Sequence, residues 1–252
     1  MRPSEEGRTW SSDYQLPSGE WFGDWLHETI GEHALFEESG PLPERLRAAA
    51  ARVQAHRPVN ERFVAEVPWI DEFTAFTAPG RFIYFSRRLL ERCPHDDAVA
   101  FVVAHELAHH ELGHLRYFTH AYARRAARFN APLLAMLYFR SLQKRLYSVE
   151  NEIAADHAAI DRCIDAGYDP GKCLYLFHVL ELIALDYGDV NAVFGVDPES
   201  DRELAPDAAA FLKARVWLYQ RRRGYLPIQD RLGEIRRYLK ETRGIEVRLH
   251  GA

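Results

Sequence analysis

Two overlapping HExxH patterns lie within the segment AVAFVVAHELAHHELGHL, residues 98–115. They are HELAH at residues 105–109 and HELGH at residues 110–114. On an α-helix, histidines four residues apart share a face, so both imidazoles can reach one metal ion. The glutamate after the first histidine can then lie over the open metal position and accept a proton from bound water. The segment therefore predicts a metal site suited to hydrolysis, although so short a motif also occurs by chance.

The helical phase of the segment favours the first pattern as the metal site. His105 and His109 fall on one apolar stripe of the predicted helix. The other members of that stripe are Ala98, Phe101, Val102, Ala108 and Leu112. A pair of imidazoles within an apolar stripe is unfavourable unless its nitrogens have partners. We therefore predict that His105 and His109 are metal ligands and that Glu106 is the general base.

The second pattern lies in a more mixed environment. His110 and His114 share their side of the helix with Glu111 as well as with apolar residues. We predict that His110 and Glu111 lie at the protein surface. For His114 two interpretations stay open, a role in the pocket beside the metal and a purely structural role.

A catalytic zinc site of this type needs a third protein ligand. The extended pattern HExxHxxGxxH is excluded, because Leu112 and Leu115 occupy its glycine and histidine positions. The alternative is a glutamate on a later helix, and Glu152 is the best candidate. Its helical face carries small residues that permit close approach, namely Ser148, Ala155 and Ala159. Asp156, four residues on, is placed to accept a hydrogen bond from the second ring nitrogen of a ligand histidine. The alternative interpretation is that Glu152 and Asp156 belong to a solvated helix face.

The composition is that of an ordinary globular protein. The 252 residues carry a formal net charge of −5, with 47% hydrophobic and 27% charged residues. These values exclude a disordered chain and give no support to a nucleic-acid-binding protein. Three cysteines without CxxC spacing do not indicate a disulfide framework. No apolar run approaches the roughly 20 residues that span a bilayer. We expect a cytoplasmic protein, or a periplasmic or secreted one if a signal peptide has been removed.

Turn and periodicity patterns predict an α+β fold that is mostly helical, with one small sheet near the start. The predicted strands are residues 62–67, 72–77 and 81–85, and the last two flank a hairpin turn. The predicted helices cover residues 20–33, 41–57, 95–115, 132–166, 170–187, 207–223 and 227–243. Between two of them, GYDP at residues 167–170 combines a helix stop with a new N-cap and a proline at the first helical position.

Several motifs in order resemble the zinc metallopeptidase family of the CAAX prenyl protease, HtpX and Oma-type enzymes. The resemblance rests on AVAFVVAHELAHHELGH, on residues 148–156 as a Ser-Arg-x-x-Glu-x-x-Ala-Asp element, and on AGYDP at residues 166–170. It implies a compact gluzincin fold with one zinc ion held by His105, His109 and Glu152, and Glu106 as general base. It also implies a sheet whose edge strand binds the peptide, for which residues 81–85 are our candidate.

This sequence departs from the family pattern at three points. Val149 replaces a frequent arginine, and the late His-Pro element before an arginine is here Leu226-Pro227 before Arg231. The transmembrane spans of many relatives have no counterpart, which places the chain in the soluble branch. We predict a metallopeptidase domain over residues 42–244, an N-terminal extension (1–41) that is either a lid, a pro-segment or simple packing, and a C-terminal tail (245–252).

The predicted activity is zinc-dependent endopeptidase cleavage of a peptide or an unfolded protein substrate. Candidates for stabilising the oxyanion are His114, Tyr147, Tyr225 and Arg231, and the sequence does not choose among them. One alternative is a zinc-binding scaffold or chaperone-like protein without turnover. Another is a helical protein with a chance HExxH. The oligomeric state and the natural substrate are not predicted.

Overall fold

The computed structural model describes residues 35–69, 73–77, 80–115, 148–187 and 227–248, together with Asp24, His27, Glu28 and Gly31. Within these ranges the chain forms six α-helices and a three-stranded sheet. In chain order they are α1 (Pro41–Val53), β1 (Val64–Glu66), β2 (Ala75–Thr77), β3 (Phe82–Phe85), α2 (Arg87–Arg92), α3 (Asp96–Glu111), α4 (Val149–Asp165), α5 (Pro170–Tyr187) and α6 (Ile228–Arg243). The predicted α+β class is confirmed.

The sheet has the strand order β1–β3–β2, with β3 in the centre. β2 and β3 form the predicted antiparallel hairpin, whereas β1 runs parallel to β3. The prediction of residues 81–85 as a sheet edge is therefore wrong, and β2 is an edge of the described sheet. The physical reason is visible in β3 itself: Ile83, Tyr84 and Phe85 are 0% exposed, as expected of a continuous apolar strand with a neighbour on both sides.

The central element is α3, which carries the HELAH motif. Every residue from Ala98 to His109 is buried, because α1, α4 and α5 surround the helix together with the sheet. The helix is therefore apolar on nearly all sides, as expected of a helix that is fully enclosed. This enclosure places both histidines of the first pattern in the protein interior.

Helix α4, which carries Glu152, begins later than the sequence predicts. Ser148 is its N-cap, and the Ser148 hydroxyl accepts a hydrogen bond from the Asn151 backbone N–H at 3.2 Å. The prediction of one helix through residues 132–166 is wrong at this point, because the extended backbone of Ser148 starts a new helix. Residues 132–147 and the predicted helix at 207–223 lie outside the described residues.

The predicted break between α4 and α5 is present. Gly167 has φ +77°, a left-handed conformation that closes α4. The Asp169 carboxylate then accepts a hydrogen bond from the Lys172 backbone N–H at 2.9 Å, and α5 begins at Pro170. This short connection keeps α4 and α5 together against α3. Among the described residues, no helix is both long and apolar enough to cross a membrane.

Part of the N-terminal extension packs on the outer face of the sheet. The His27 ring stacks on Phe82 and on Phe36, with ring centroids 4.1 Å and 4.9 Å apart, respectively. His27 Nδ1 also lies 3.3 Å from the Tyr84 hydroxyl. Asp24, His27, Glu28 and Gly31 are helical, and the other residues of the predicted helix 20–33 lie outside the described ranges. A role of residues 1–41 as a lid or pro-segment stays a prediction.

Replacing Gly167 by alanine is expected to destabilise the protein by about 1–3 kcal/mol. The left-handed backbone disfavours any Cβ, and here the new Cβ would lie 3.0 Å from Arg52 Nη2. Arg52 cannot move freely, because its guanidinium donates hydrogen bonds to the Ala166 and Gly167 carbonyls. The matched control is Gly233→Ala in α6, where nothing lies within 4 Å of the new Cβ. Urea unfolding should show Gly233→Ala more stable than wild type by about 1 kcal/mol; equal effects of both substitutions would contradict this account.

Candidate metal centre

Three predicted ligands from two helices converge beside α3. His105 Nε2 and His109 Nε2 are 3.0 Å apart, one helical turn from each other. Glu152 on α4 places Oε2 at 3.6 Å from His105 Nε2 and Oε1 at 3.5 Å from His109 Nε2. One ligand atom from each residue lies within 4.8 Å of the other two. Within the described part of the chain, these residues form a possible metal-binding triad.

The donor set and its spacing fit a zinc ion. Tetrahedral zinc with Zn–N bonds of about 2.0–2.1 Å requires two nitrogens about 3.3 Å apart, and the two Nε2 atoms are 3.0 Å apart. Burial and the neighbouring His105 lower the pKa of His109 far below its ordinary value, so His109 is a neutral imidazole, the form that binds a metal ion. Two histidines and a carboxylate leave one tetrahedral position open, as catalytic zinc sites do.

Asp156 and Arg231 lie directly behind the triad. Asp156, which is 1% exposed, places Oδ1 at 2.9 Å from His105 Nδ1. Arg231 on α6 donates two hydrogen bonds to this carboxylate, from Nε at 2.8 Å and from Nη2 at 2.6 Å. Although burial alone would raise the pKa of Asp156, Arg231 and His105 hold it well below its usual range. The charged Asp156 therefore orients His105 with Nε2 toward the other ligands.

His105 itself is subject to opposing effects. Burial lowers its pKa, but the Asp156 hydrogen bond and the nearby carboxylates outweigh burial and raise the pKa overall. A raised pKa means a more basic imidazole, and a more basic imidazole is a stronger ligand for a metal cation. The Asp156 carboxylate therefore contributes to the site through the electronic character of His105 as well as through its orientation.

Glu106, the predicted general base, is buried next to His105. Burial raises the pKa of Glu106 to about 7, opposed by nearby His105 and by a hydrogen bond from the Thr77 backbone N–H. A carboxyl group in that range can accept and return a proton near neutral pH. A bound dication would lower this pKa and favour the carboxylate form.

The four residues considered for oxyanion stabilisation have different positions. Arg231 lies at the site, with Nη1 3.3 Å from Glu152 Oε2, and its remaining donors face Asp156. His114 Nδ1 is 2.8 Å from His109 Nδ1, on the side of His109 away from the other ligands. Tyr147 and Tyr225 lie outside the described residues.

The prediction that His110 lies at the surface is wrong. Its side chain hydrogen-bonds the Thr77 hydroxyl, and its ring packs on Phe63 with centroids 4.5 Å apart. Burial and nearby Arg57 lower the pKa of His110 to about 4. Strand β2 and the segment before β1 cover this side of α3, which helical periodicity cannot show. Glu111 is exposed as predicted.

Sequence reasoning also missed Thr77 and the pairing of Arg231 with Asp156. No motif marks Thr77, which reaches the site only because β2 lies beside α3. Arg231 was recognised from the late arginine of the family pattern. Its carboxylate partners lie on another helix about 75 residues earlier in the chain, and no local spacing relates the two positions.

A buried HExxH helix that meets a carboxylate from a second helix defines a metallopeptidase-type centre. The sequence matches the model of peptidase family M48 over residues 38–214, and the chain belongs to this family. The match starts close to the predicted domain boundary at residue 42 and includes the triad, Glu106 and Asp156, while Arg231 follows it. No curated protein is significantly similar to the chain in sequence.

Proposed function

We propose that this protein is a zinc-dependent metalloendopeptidase. The observation that carries the proposal is the convergence of His105, His109 and Glu152 with Glu106 buried directly beside them. These residue types match the ligands and the base of a hydrolytic zinc site. Membership of a peptidase family supports peptides as the substrate class.

The proposed chemistry uses the residues of α3 and α4 in distinct roles. Bound zinc would be held by His105, His109 and Glu152, and it would supply Lewis-acid polarisation and activation of water. Glu106 takes one proton from the water as the water oxygen bonds to the scissile carbonyl carbon. The same carboxyl then gives that proton to the leaving nitrogen as the C–N bond breaks. Asp156 keeps His105 oriented throughout.

We further propose that an extended peptide binds along the edge of β2. Strand pairs of this kind provide main-chain hydrogen bonds without requiring particular side chains. In β2 both backbone groups of Ala75 and the carbonyl of Thr77 face away from β3 and are the groups that would pair with a peptide, because residues 74 and 76 pair with β3. The Thr77 N–H meets Glu106, so a peptide along this edge would lie close to the base and the ligands.

Metal analysis combined with a proteolysis assay tests the proposed function. Freshly purified protein should contain one zinc ion per chain and should cleave unfolded casein. Chelation should abolish cleavage, and added zinc should restore it. Absence of zinc together with no thermal shift on zinc addition would overturn the proposal. Zinc-loaded protein that cleaves no test substrate would instead support the non-catalytic scaffold.

Replacing Glu152 by alanine should weaken zinc binding by at least about 100-fold. Loss of a residue that only orients a ligand typically costs up to about 100-fold in metal affinity, and loss of a ligand itself should cost at least as much. The reason is that Glu152 would be a direct ligand and the only anionic one. Competition with a chromogenic chelator measures the affinity. The matched control is Glu150→Ala, an exposed glutamate in the first turn of the same helix, which should keep wild-type affinity. Equal zinc affinity in both variants would show that Glu152 is not a zinc ligand.

A further inference from the structure

Thr77 connects the edge strand β2 to the metal-binding helix α3 at two points. Its hydroxyl hydrogen-bonds His110 Nε2, and its backbone amide lies close enough to the Glu106 carboxylate to help lower the pKa of that group. Glu106 and His110 are four residues apart on α3, so they lie one above the other on the same face. One residue of the strand therefore contacts two successive turns of the helix. Thr77 is fully buried, at 0% exposure.

The two hydrogen bonds of the Thr77 hydroxyl determine which group donates in each of them. A threonine hydroxyl has a single proton, and it is donated to the Phe82 carbonyl of β3 at 3.0 Å. The His110 contact must then be an Nε2–H donated to the lone pair of the Thr77 oxygen. The imidazole is fixed in this orientation by its packing on Phe63. Strand β3, Thr77 and His110 thus form one continuous chain of hydrogen bonds.

The register of the sheet explains why the Thr77 N–H is available to Glu106. In an antiparallel pair, residues alternate between those that exchange hydrogen bonds with the partner strand and those that face outward. Thr74 accepts a hydrogen bond from the Ser86 N–H, and Phe76 pairs opposite Tyr84. Thr77 is therefore an outward-facing position. Its N–H therefore faces away from β3 and does not take part in the β2–β3 ladder.

We propose that Thr77 and His110 act as positioning residues for the general base, and we name them the Thr77–His110 brace. The brace holds β2 against α3 so that the Thr77 N–H keeps the Glu106 carboxylate aimed at the water. It also sets the spacing between the metal ligands and the strand along which we propose that the peptide binds. The inference rests on the proposed function, since it assigns a task to residues around Glu106.

Kinetics of Thr77→Val and His110→Phe test the brace. We expect kcat to fall by about 10- to 100-fold, the effect of a small misplacement of a catalytic group. The KM value and the zinc content should stay within a few-fold of wild type, because the ligands and the strand remain. Thr77→Ser keeps the hydroxyl and should restore kcat to near the wild-type value. The matched control is Thr74→Val, a threonine before β2 whose hydroxyl faces the Ala75 carbonyl.

A double-variant comparison separates the brace from simple packing. If the two residues act through one hydrogen bond, Thr77→Val combined with His110→Phe should lower kcat no further than either change alone. If the kcat losses of the two single variants instead multiplied in the double variant, the brace would be overturned. An unchanged kcat in Thr77→Val, or a loss in Thr77→Ser as large as that in Thr77→Val, would also overturn it.

A readout independent of catalysis distinguishes failure of the brace from failure of the proposed function. If the brace holds the Thr77 N–H on the Glu106 carboxylate, the Thr77 amide should exchange slowly with deuterium in wild type, as measured by NMR. His110→Phe and Glu106→Ala should each accelerate this exchange at least about tenfold, which is local opening rather than unfolding. Unchanged exchange in His110→Phe would overturn the brace even in an active enzyme. An inactive wild type with the expected exchange pattern would overturn only the peptidase proposal.

Discussion

Glu106→Gln is expected to lower kcat for peptide cleavage by about 100- to 10,000-fold, the range for a general base. The amide has nearly the same size and can still interact with Thr77, but it cannot accept the proton from water. Zinc content should equal that of wild type, because Glu106 is not among the three converging ligands. The measurement is casein or peptide cleavage at matched zinc content.

Glu111→Gln is the matched control for this experiment. Glu111 occupies the same place in the second HExxH pattern, yet its carboxylate pairs with Arg57 and Arg162 at the exposed end of α3. Losing these partly exposed ion pairs should cost only about 1 kcal/mol of stability and leave kcat unchanged. Full activity in Glu106→Gln, or equal losses in both variants, would show that Glu106 is not the base.

Arg231→Met is expected to lower the free energy of unfolding of metal-free protein by about 3–5 kcal/mol, the usual cost of breaking a buried ion pair. The substitution removes the two hydrogen bonds that Arg231 donates to the charged Asp156, which is 1% exposed. It also removes the cation that lies 3.3 Å from Glu152. Zinc affinity should fall by about 10- to 100-fold, because Asp156 would orient His105 less firmly. Urea unfolding with and without zinc measures both effects.

Arg237→Met controls for the loss of an arginine from α6. Arg237 is 61% exposed and pairs with Glu234 on the same helix, so the change should cost less than about 1 kcal/mol. The comparison also distinguishes two tasks for Arg231. An arginine that only stabilises the oxyanion would affect kcat and leave the unfolding of metal-free protein unchanged. A large destabilisation without metal would assign Arg231 to holding Asp156 and Glu152.

Local patterns in the sequence were sufficient for much of the fold. The HExxH spacing placed His105 and His109 on one helical face, because that relation depends only on the period of a helix. Gly167 and Asp169 marked the end of one helix and the start of the next, since capping acts within a few residues. Glu152 could be proposed because its small neighbours indicated a helix–helix contact, and the structure brings it to the two histidines.

Predictions failed where partners distant in the chain decide the outcome. The strand at residues 81–85 became the centre of the sheet because β1 pairs with it in parallel, from about 18 residues earlier in the chain. His110 became half-buried because β2 covers its side of α3. Neither the central position of the strand nor the burial of His110 produces a periodic pattern in its own sequence segment, so local sequence patterns could not predict either one.

By itself, the sequence determined the helix that carries the ligands, the residues with suitable chemistry and their spacing along the chain. Only the tertiary structure decided how those residues are held. Arg231 on α6 neutralises Asp156 on α4, which in turn contacts His105 on α3, and Thr77 reaches Glu106 from the sheet. Buried charges and hydrogen bonds need partners, and which element supplies the partner depends on packing rather than on local spacing.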